Sequence, residues 1–522
     1  MNRFPIHPLL FSLFPIISLY EANKEFLRLG QILTPIIIVV FFTFFFQIIF
    51  SLFFKSFHRG ALLTSLLSFI FFSFRHLAIY LYRYLAEGAL PLVFTNYLLI
   101  FIATVAFLVI STKKVSSLSK KLNSVSLFIL LIPLFLIFAF EINRSFLSDA
   151  QNAEKTVENI SEEWTVAGPD IYYIILDGYA REDVLQNTFS FNNSYFLNGL
   201  RERGFKISDS AISNYSETIY SMSSSLNMEY HDDTFLRDNL KNKELFLGMV
   251  ANSKVDNYLG KKGYKSISFA PMWVGNNSRK TDIVMKNKKK VNDFLSLVMM
   301  NSPIPFFDLS FATTLLHKQS REKFDDIIDH LGEVPNIKGS TFSYAHILSP
   351  HFPHFADKDG NLRKNIYVNN SGKKLLYRSD YVDLRRSNVG TYKSVYLDQL
   401  QFVNKRVLEV IDEILTKDDG SVIVIQSDHG PLSGFYPESV DRSDLKERFS
   451  ILTAIRPPSE QQIDFPQDIS PVNIFRTLFN NIFSENFDIL ENRSYFIEHE
   501  NKIGTKAKRV VDVTESLSAV DY

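Results

Sequence analysis

The chain has 522 residues, 46% of them hydrophobic, with 56 Lys and Arg balanced by 56 Asp and Glu and no cysteine. That length accommodates two or three domains, and the lack of cysteine excludes disulfides, thiolate metal ligands and cysteine nucleophiles. The neutral total hides a division, because residues 1–150 carry 12 Lys and Arg against 5 Asp and Glu while residues 151–522 carry 44 against 51; no clustered basic face marks a nucleic-acid binder. Five apolar stretches come first, at 5–21, 31–54, 61–81, 89–111 and 125–143, each near the roughly 20 residues that a helix needs to cross the hydrocarbon core. The first holds three prolines but no small-residue cleavage site, and four further spans follow it, so it reads as a retained helix and not as a signal peptide.

Orientation follows from the loops. With the N-terminus inside, the cytoplasmic segments carry Arg3, Lys55, Arg59, Lys113, Lys114, Lys120 and Lys121, whereas the outward loops carry Lys24, Arg28 and Arg83. Because Lys and Arg accumulate on the cytoplasmic side, residues 1–145 are expected to form a five-helix transmembrane domain in the inner or plasma membrane. Everything from about residue 145 onward then faces away from the cytoplasm.

Residues 146–169 are polar and acidic, end at Gly168-Pro169 and read as a linker. The next run, IYYIILD at 171–177, is continuously apolar and stops at Asp177-Gly178, the pattern of a central parallel strand buried on both faces. Another strand candidate, STFSYAHILSPH at 340–351, leads into FPHF. In 391–417 Val395, Leu397, Leu400, Val403, Val407, Val410, Ile411 and Ile414 recur at helical spacing, and the helix passes through Asp418-Asp419-Gly420 into SVIVIQSDHG at 421–430. Helix, turn and buried strand in that order predict a mostly parallel sheet between helical layers, an α/β/α sandwich over 170–500, with 501–522 as a polar tail.

Ligands in open α/β sheets sit beyond the carboxyl ends of the strands, so Asp177, Asp428 and His429 can meet there although about 250 residues separate them. Two carboxylates and an imidazole suit one divalent ion such as manganese, zinc or magnesium. His346, His351 and His354 fall within nine residues beside prolines and add to the cluster. For a nucleophile the hydroxyl-rich run SNYSETIYSMSSSLNM at 213–228 supplies Thr218 at the start of a helix, where the helix dipole and a metal would both favour the alkoxide. Ser216 and Ser221 are neighbouring alternatives.

The order ILDGY, SETIYSMSSSLN, HILSPHFPHF, QSDHG resembles the alkaline phosphatase and sulfatase superfamily, and five spans before an outward domain resemble the lipoteichoic acid synthases and phosphoethanolamine transferases. The resemblance implies Asp177, Asp428 and His429 as metal ligands, Thr218 as nucleophile and metal ligand, and His351 as the histidine at the transferred group or leaving oxygen. His346 and His354 are assigned to substrate contact, since Asn404 stands where two-metal relatives have Asp, leaving one metal. Trp273 in FAPMWVGN and Arg279 are further substrate-binding candidates, but Ser266 and Gly275 occupy the His and Arg positions of the glycerol-phosphate enzymes. Without cysteine and without a Ser-x-Pro-x-Arg motif around Thr218, sulfate ester hydrolysis is disfavoured. The function implied is transfer of a phospho-headgroup from a lipid donor to an envelope lipid or glycan acceptor through a phosphothreonine. The alternatives are a hydrolase of the same site with water as acceptor, and a catalytically silent membrane scaffold.

Overall fold

A computed structural model describes residues 4–24, 27, 29–82, 99, 103, 114–148, 168–269, 281–285, 292–303, 309–363, 389–459, 463–500 and 507–518. The chain divides into two compact units, one of Met1–Asn152 with Asn292–Leu315, the other of Ala153–Val291 with Leu316–Tyr522.

The first unit is helical. It contains α1 (His7–Glu21), α2 (Leu33–Phe53), α3 (Phe57–Tyr82) and α4 (Val115–Ser148). Among the described residues three helical stretches are long and apolar enough to cross a membrane: Leu29–Phe53, Phe57–Phe74 and Val115–Ile142. Five had been expected. The first is a helix of only 15 residues, about 22 Å at 1.5 Å per residue and so short of a full crossing. The stretch at 89–111 lies outside the described residues. Ile37, Phe41, Phe44, Phe45, Ile48 and Phe53 of α2 are exposed, an apolar surface that hydrocarbon tolerates and water does not. Polar groups in this unit turn inward or back onto their own helices, as such a solvent demands. His7 is buried with its two ring nitrogens 2.6 Å from Ser65 Oγ and 3.0 Å from Ser119 Oγ, and the Thr43 hydroxyl donates to Val39 O.

The helix Asp293–Met300 belongs to this unit although it comes from the middle of the sequence. Phe294 and Val298 join Ile16, Ile17, Tyr20 and Ile32 in one core. Asn292 caps the helix at Leu295 N and donates to Gln31 O.

The second unit is built on a seven-stranded sheet with the order β2-β7-β6-β1-β5-β3-β4. These are β1 (Ile171–Leu176), β2 (Lys206–Ile207), β3 (Lys265–Ser268), β4 (Ile283–Val284), β5 (Thr341–Ile347), β6 (Val422–Gln426) and β7 (Thr453–Arg456). β1 runs parallel to both neighbours, β5 and β6, and β7 is antiparallel to β6 and β2, so the sheet is mixed, with its parallel part running from β6 to the β4 edge. Every residue of β1, β5 and β6 is buried. Period-2 alternation sends Tyr172, Ile174 and Leu176 into a core with Leu400, Val403, Val407 and Ile411, residues of the helix Val389–Lys417. Ile171, Tyr173 and Ile175 face the other way, onto Ile474, Phe475 and Leu478 of the helix Pro471–Ile482. Apolar residues on both faces are what a two-sided sandwich requires.

The C-terminal part of the chain differs from the expected domain map. Residues 507–518, expected as a polar tail, form β9 (Ala507–Asp512) and a short helix, and β9 pairs antiparallel with β8 (Tyr495–His499). The tail reads as polar because half of β9 faces outward, although its neighbour β8 is fully buried. Most of the expected linker lies outside the described residues.

Asn404 has a structural task. Its Oδ1 accepts from Tyr179 at 2.6 Å, its Nδ2 donates to Asn193 Oδ1 at 2.8 Å, and Asn193 Nδ2 donates to Tyr179 at 2.9 Å. This closed triangle is buried, so its members have no water to turn to. Asn404→Leu should therefore lower stability by about 2 kcal/mol, chiefly from the orphaned Tyr179 and Asn193 groups, read as a fall in the thermal unfolding midpoint; an unchanged midpoint would show that the triangle contributes nothing.

Candidate active site

Three adjacent parallel strands end side by side and deliver the chemistry. Asp177 follows β1, Asp428 and His429 follow β6, and His346 is the penultimate residue of β5. Gly178, at φ +72°, turns the chain sharply after β1 in a region that disfavours side chains, and its N–H donates to Asp428 Oδ1 at 3.1 Å. Gly430 is equally constrained, since a Cβ there would lie 1.9 Å from Glu447 O. The Asp-His-Gly turn is thus pressed against the backbone of the Glu447 segment, with Gly430 N bonded to Arg448 O.

One ligand atom from each of Asp177, His346 and Asp428 lies within 4.8 Å of the others. His346 Nε2 is 3.2 Å from Asp177 Oδ2, and His429 Nε2 is 3.3 Å from Asp428 Oδ2 and 3.8 Å from Asp177 Oδ1. All four side chains are buried. Asp177 Oδ1 and Asp428 Oδ2 nonetheless have no hydrogen-bond partner. Two orphaned carboxylate oxygens facing each other out of water are costly unless a cation takes them, so the donor set fits a divalent metal.

The electrostatics agree with that reading. Burial, then the neighbouring Asp177, pushes the Asp428 carboxyl up to about 6. Burial also opposes the charge on Asp177, but His351, His346 and His429 around it outweigh the penalty and hold it below the ordinary carboxylate range. Burial and the Arg448 guanidinium keep His429 well below the usual imidazole value. With its Nδ1 3.0 Å from Gly430 O, the neutral ring donates there and turns a bare Nε2 toward the carboxylates.

Thr218 is the first residue of α5 (Thr218–Ser225), and its Oγ1 is 3.2 Å from His429 Nε2. Glu217 at the N-cap is extended, at φ −140° and ψ 142°, which aims the first turn of α5 at the strand ends. The rival hydroxyls are occupied elsewhere: Ser221 Oγ donates to Asp428 O at 2.8 Å and Ser216 Oγ accepts from Ile497 N at 2.9 Å. Half-buried His351 flanks the site with its ring 6.4 Å from that of His429, and its Nδ1 is committed to Phe352 O at 2.9 Å.

Of the residues expected from the sequence, Asp177, Thr218, Asp428 and His429 converge, and His351 stands beside them. Two expected substrate contacts are corrected. His346 lies among the ligand atoms, because its register opposite Ile175 on β1 puts it on the same side of the sheet as Asp177. His354 is fully buried against Tyr392 and Tyr396 and has no surface for substrate. Trp273 and Arg279 lie outside the described residues. Sequence reasoning missed Arg448, whose guanidinium donates to Ser216 O and Gly430 O and so ties the Thr218 loop to the Asp-His-Gly turn. It also missed Ser427, whose hydroxyl accepts from Tyr179 N and donates to His429 O. No motif marks either residue.

The sulfatase family model matches residues 169–480. Similar solved structures include the C-terminal periplasmic domain of EcEptC from Escherichia coli, 13% identical over 68% of this chain and 94% of that one with a TM-score of 0.41. The lipoteichoic acid synthase LtaP from Listeria monocytogenes is 12% identical over 72% and 93%, with a TM-score of 0.39. The soluble domain of lipooligosaccharide phosphoethanolamine transferase A from Neisseria meningitidis is 12% identical over 61% and 89%, with a TM-score of 0.35. No curated protein sequence matches.

Asp428→Asn and His346→Ala should each weaken Mn2+ or Zn2+ binding by more than about tenfold in calorimetry on the whole protein. A carboxyl with a raised pKa is protonated below that value, so wild-type affinity should fall as pH drops through about 6, where the proton competes for Asp428. Unchanged affinity in His346→Ala would remove His346 from the ligand set.

Proposed function

The chain belongs to the sulfatase family, and from that premise we propose that it is a membrane-anchored, metal-dependent phosphotransferase that moves a phospho-headgroup from a lipid donor to an envelope lipid or glycan. The observation that carries this reading is Thr218 Oγ1 placed 3.2 Å from His429 Nε2, beside the two orphaned carboxylate oxygens. A hydroxyl stands where a sulfate-ester hydrolase of this family would present its modified cysteine or serine, and phosphoryl transfer is the chemistry to which a threonine alkoxide is suited.

Asp177, His346, Asp428 and His429, with Thr218, would hold one divalent ion, which when bound lowers the pKa of the Thr218 hydroxyl and neutralises phosphate charge. The residues of the chain do the rest. Thr218 Oγ, its proton passed to solvent, attacks phosphorus in line as the bond to the donor's leaving oxygen breaks. The α5 N-terminus lies behind the nucleophile and favours the negative charge that gathers there. His351, with Nδ1 held by Phe352 O, has Nε2 left to protonate the leaving oxygen. The same nitrogen then takes a proton from the acceptor hydroxyl, which attacks phosphothreonine, frees Thr218 and leaves with the headgroup phosphate.

The apolar helices of the first unit support a catalytic domain anchored beside lipid substrates, and with five crossings the seven-to-three bias of the loop cations would put that domain outside the cytoplasm. A reporter that works only when exported should be active when fused after residue 160 and silent near Ser117; the opposite pattern would overturn the envelope assignment.

Thr218→Ala should abolish turnover, a loss above about 1000-fold, while metal affinity stays within about tenfold because the carboxylates and imidazoles remain. Mass spectrometry of wild type quenched with phosphatidylethanolamine should show a phospho-headgroup adduct on Thr218. Release of the headgroup to water alone would favour the hydrolase, and full activity in Thr218→Ala would exclude Thr218 as the nucleophile.

A further inference from the structure

The hairpin of β8 and β9 lies beyond residue 480, where the family match ends, yet it is stitched to the segment that presents Thr218. Tyr495 N donates to Asn214 O at 2.9 Å, Ser216 N to Tyr495 O at 3.1 Å, and Ile497 N to Ser216 Oγ at 2.9 Å. The last stitch is a side-chain pair: His499 Nε2 meets Glu217 Oε1, with the imidazole fully buried and the carboxylate 11% exposed. Glu217 is the residue before the nucleophile and the N-cap of α5, but its side chain makes no capping bond to that helix. A helix N-terminus attracts a carboxylate, so something must hold this one away.

We propose that His499 is a positioning residue: by holding the Glu217 carboxylate it keeps that charge off the first turn of α5, so that an anionic phosphate group reaches Thr218 without meeting a second anion. The proposal rests on the phosphoryl-transfer reading of the site. In the absence of the imidazole, Glu217 can swing toward the helix N-terminus, where it competes with substrate phosphate for the same positive potential. The consequence is a defect in phosphate binding that disappears when Glu217 is removed as well. A merely structural pair would lower kcat and the thermal unfolding midpoint along with phosphate affinity, whereas the positioning role moves affinity and KM and leaves kcat within about threefold.

The test uses the full-length Mn2+-loaded protein with two readouts: the dissociation constant for inorganic phosphate by calorimetry, and kcat and KM for bis(p-nitrophenyl) phosphate. His499→Ala is expected to weaken phosphate binding about tenfold and to raise KM similarly, a typical size for one charge at a helix end. His499→Gln keeps a donor for Glu217 and should stay within about threefold of wild type, and Glu217→Ala/His499→Ala should recover to within about threefold. A double variant no better than His499→Ala, or unchanged phosphate affinity in His499→Ala, overturns the proposal. Should His499→Ala fail to fold, Glu217→Ala decides, since affinity at or above wild type is expected and a tenfold loss refutes it. Wild type that binds phosphate but cleaves no diester leaves the positioning role standing and sinks the phosphotransferase reading; wild type that binds no phosphate sinks both.

Discussion

Two carboxylates, Asp177 and Asp428, are buried face to face at the ends of adjacent strands with an oxygen of each unpartnered. The rest of the site can be understood as the means of keeping that arrangement folded. Coulomb repulsion between anions this close is severe in a low-dielectric interior, so the chain surrounds them with His346, His351 and His429 and supplies a backbone N–H from Gly178 to Asp428. A divalent cation bound there would complete the compensation. The parallel strand arrangement makes this possible, because it alone brings three chain segments distant in sequence to one edge with their carboxyl ends aligned.

Around that charge pair the fold separates orientation from reaction. Backbone carbonyls fix the histidine tautomers, Gly430 O for His429 and Phe352 O for His351, so that Nε2 of each remains for chemistry. Arg448 joins the two loops that must stay in register, one bearing Thr218 and the other bearing His429, by donating to their carbonyl oxygens. That link sets the distance between Thr218 and His429.

What was legible in the sequence was local. The runs 171–177 and 421–430 announce buried strands because both faces are apolar and each ends at an Asp-Gly or Asp-His-Gly turn, and the helix over 391–417 shows its inward stripe at 3.6-residue spacing. Asp177, Asp428 and His429 follow from their places just beyond such strands, and Thr218 from its place at the start of a hydroxyl-rich helical run. What depends on register was not legible. His346 comes within reach of the carboxylates only because β5 aligns it with Ile175, two residues before Asp177 on β1, and a shift of one position would turn it to the opposite face. His354 shares the same histidine cluster but enters the core between two tyrosines, a destination that spacing alone does not reveal. The β8–β9 hairpin escaped notice because its strands gain meaning only from the loop they brace.

The membrane unit shows a related limit of sequence segmentation. A boundary near residue 165 looks natural, with apolar spans before it and a strand after it, yet the helix Asp293–Met300 packs Phe294 edge-on against Tyr20 and Val298 into the same core as Ile16 and Ile17. A fragment starting near residue 165 would keep that helix and lose every one of those partners, exposing Phe294 and Val298 together. Apolar patches of this kind drive association in water. The covalent boundary and the packing boundary are therefore different, and the smallest piece of this chain that satisfies its own buried surface includes the N-terminal helices.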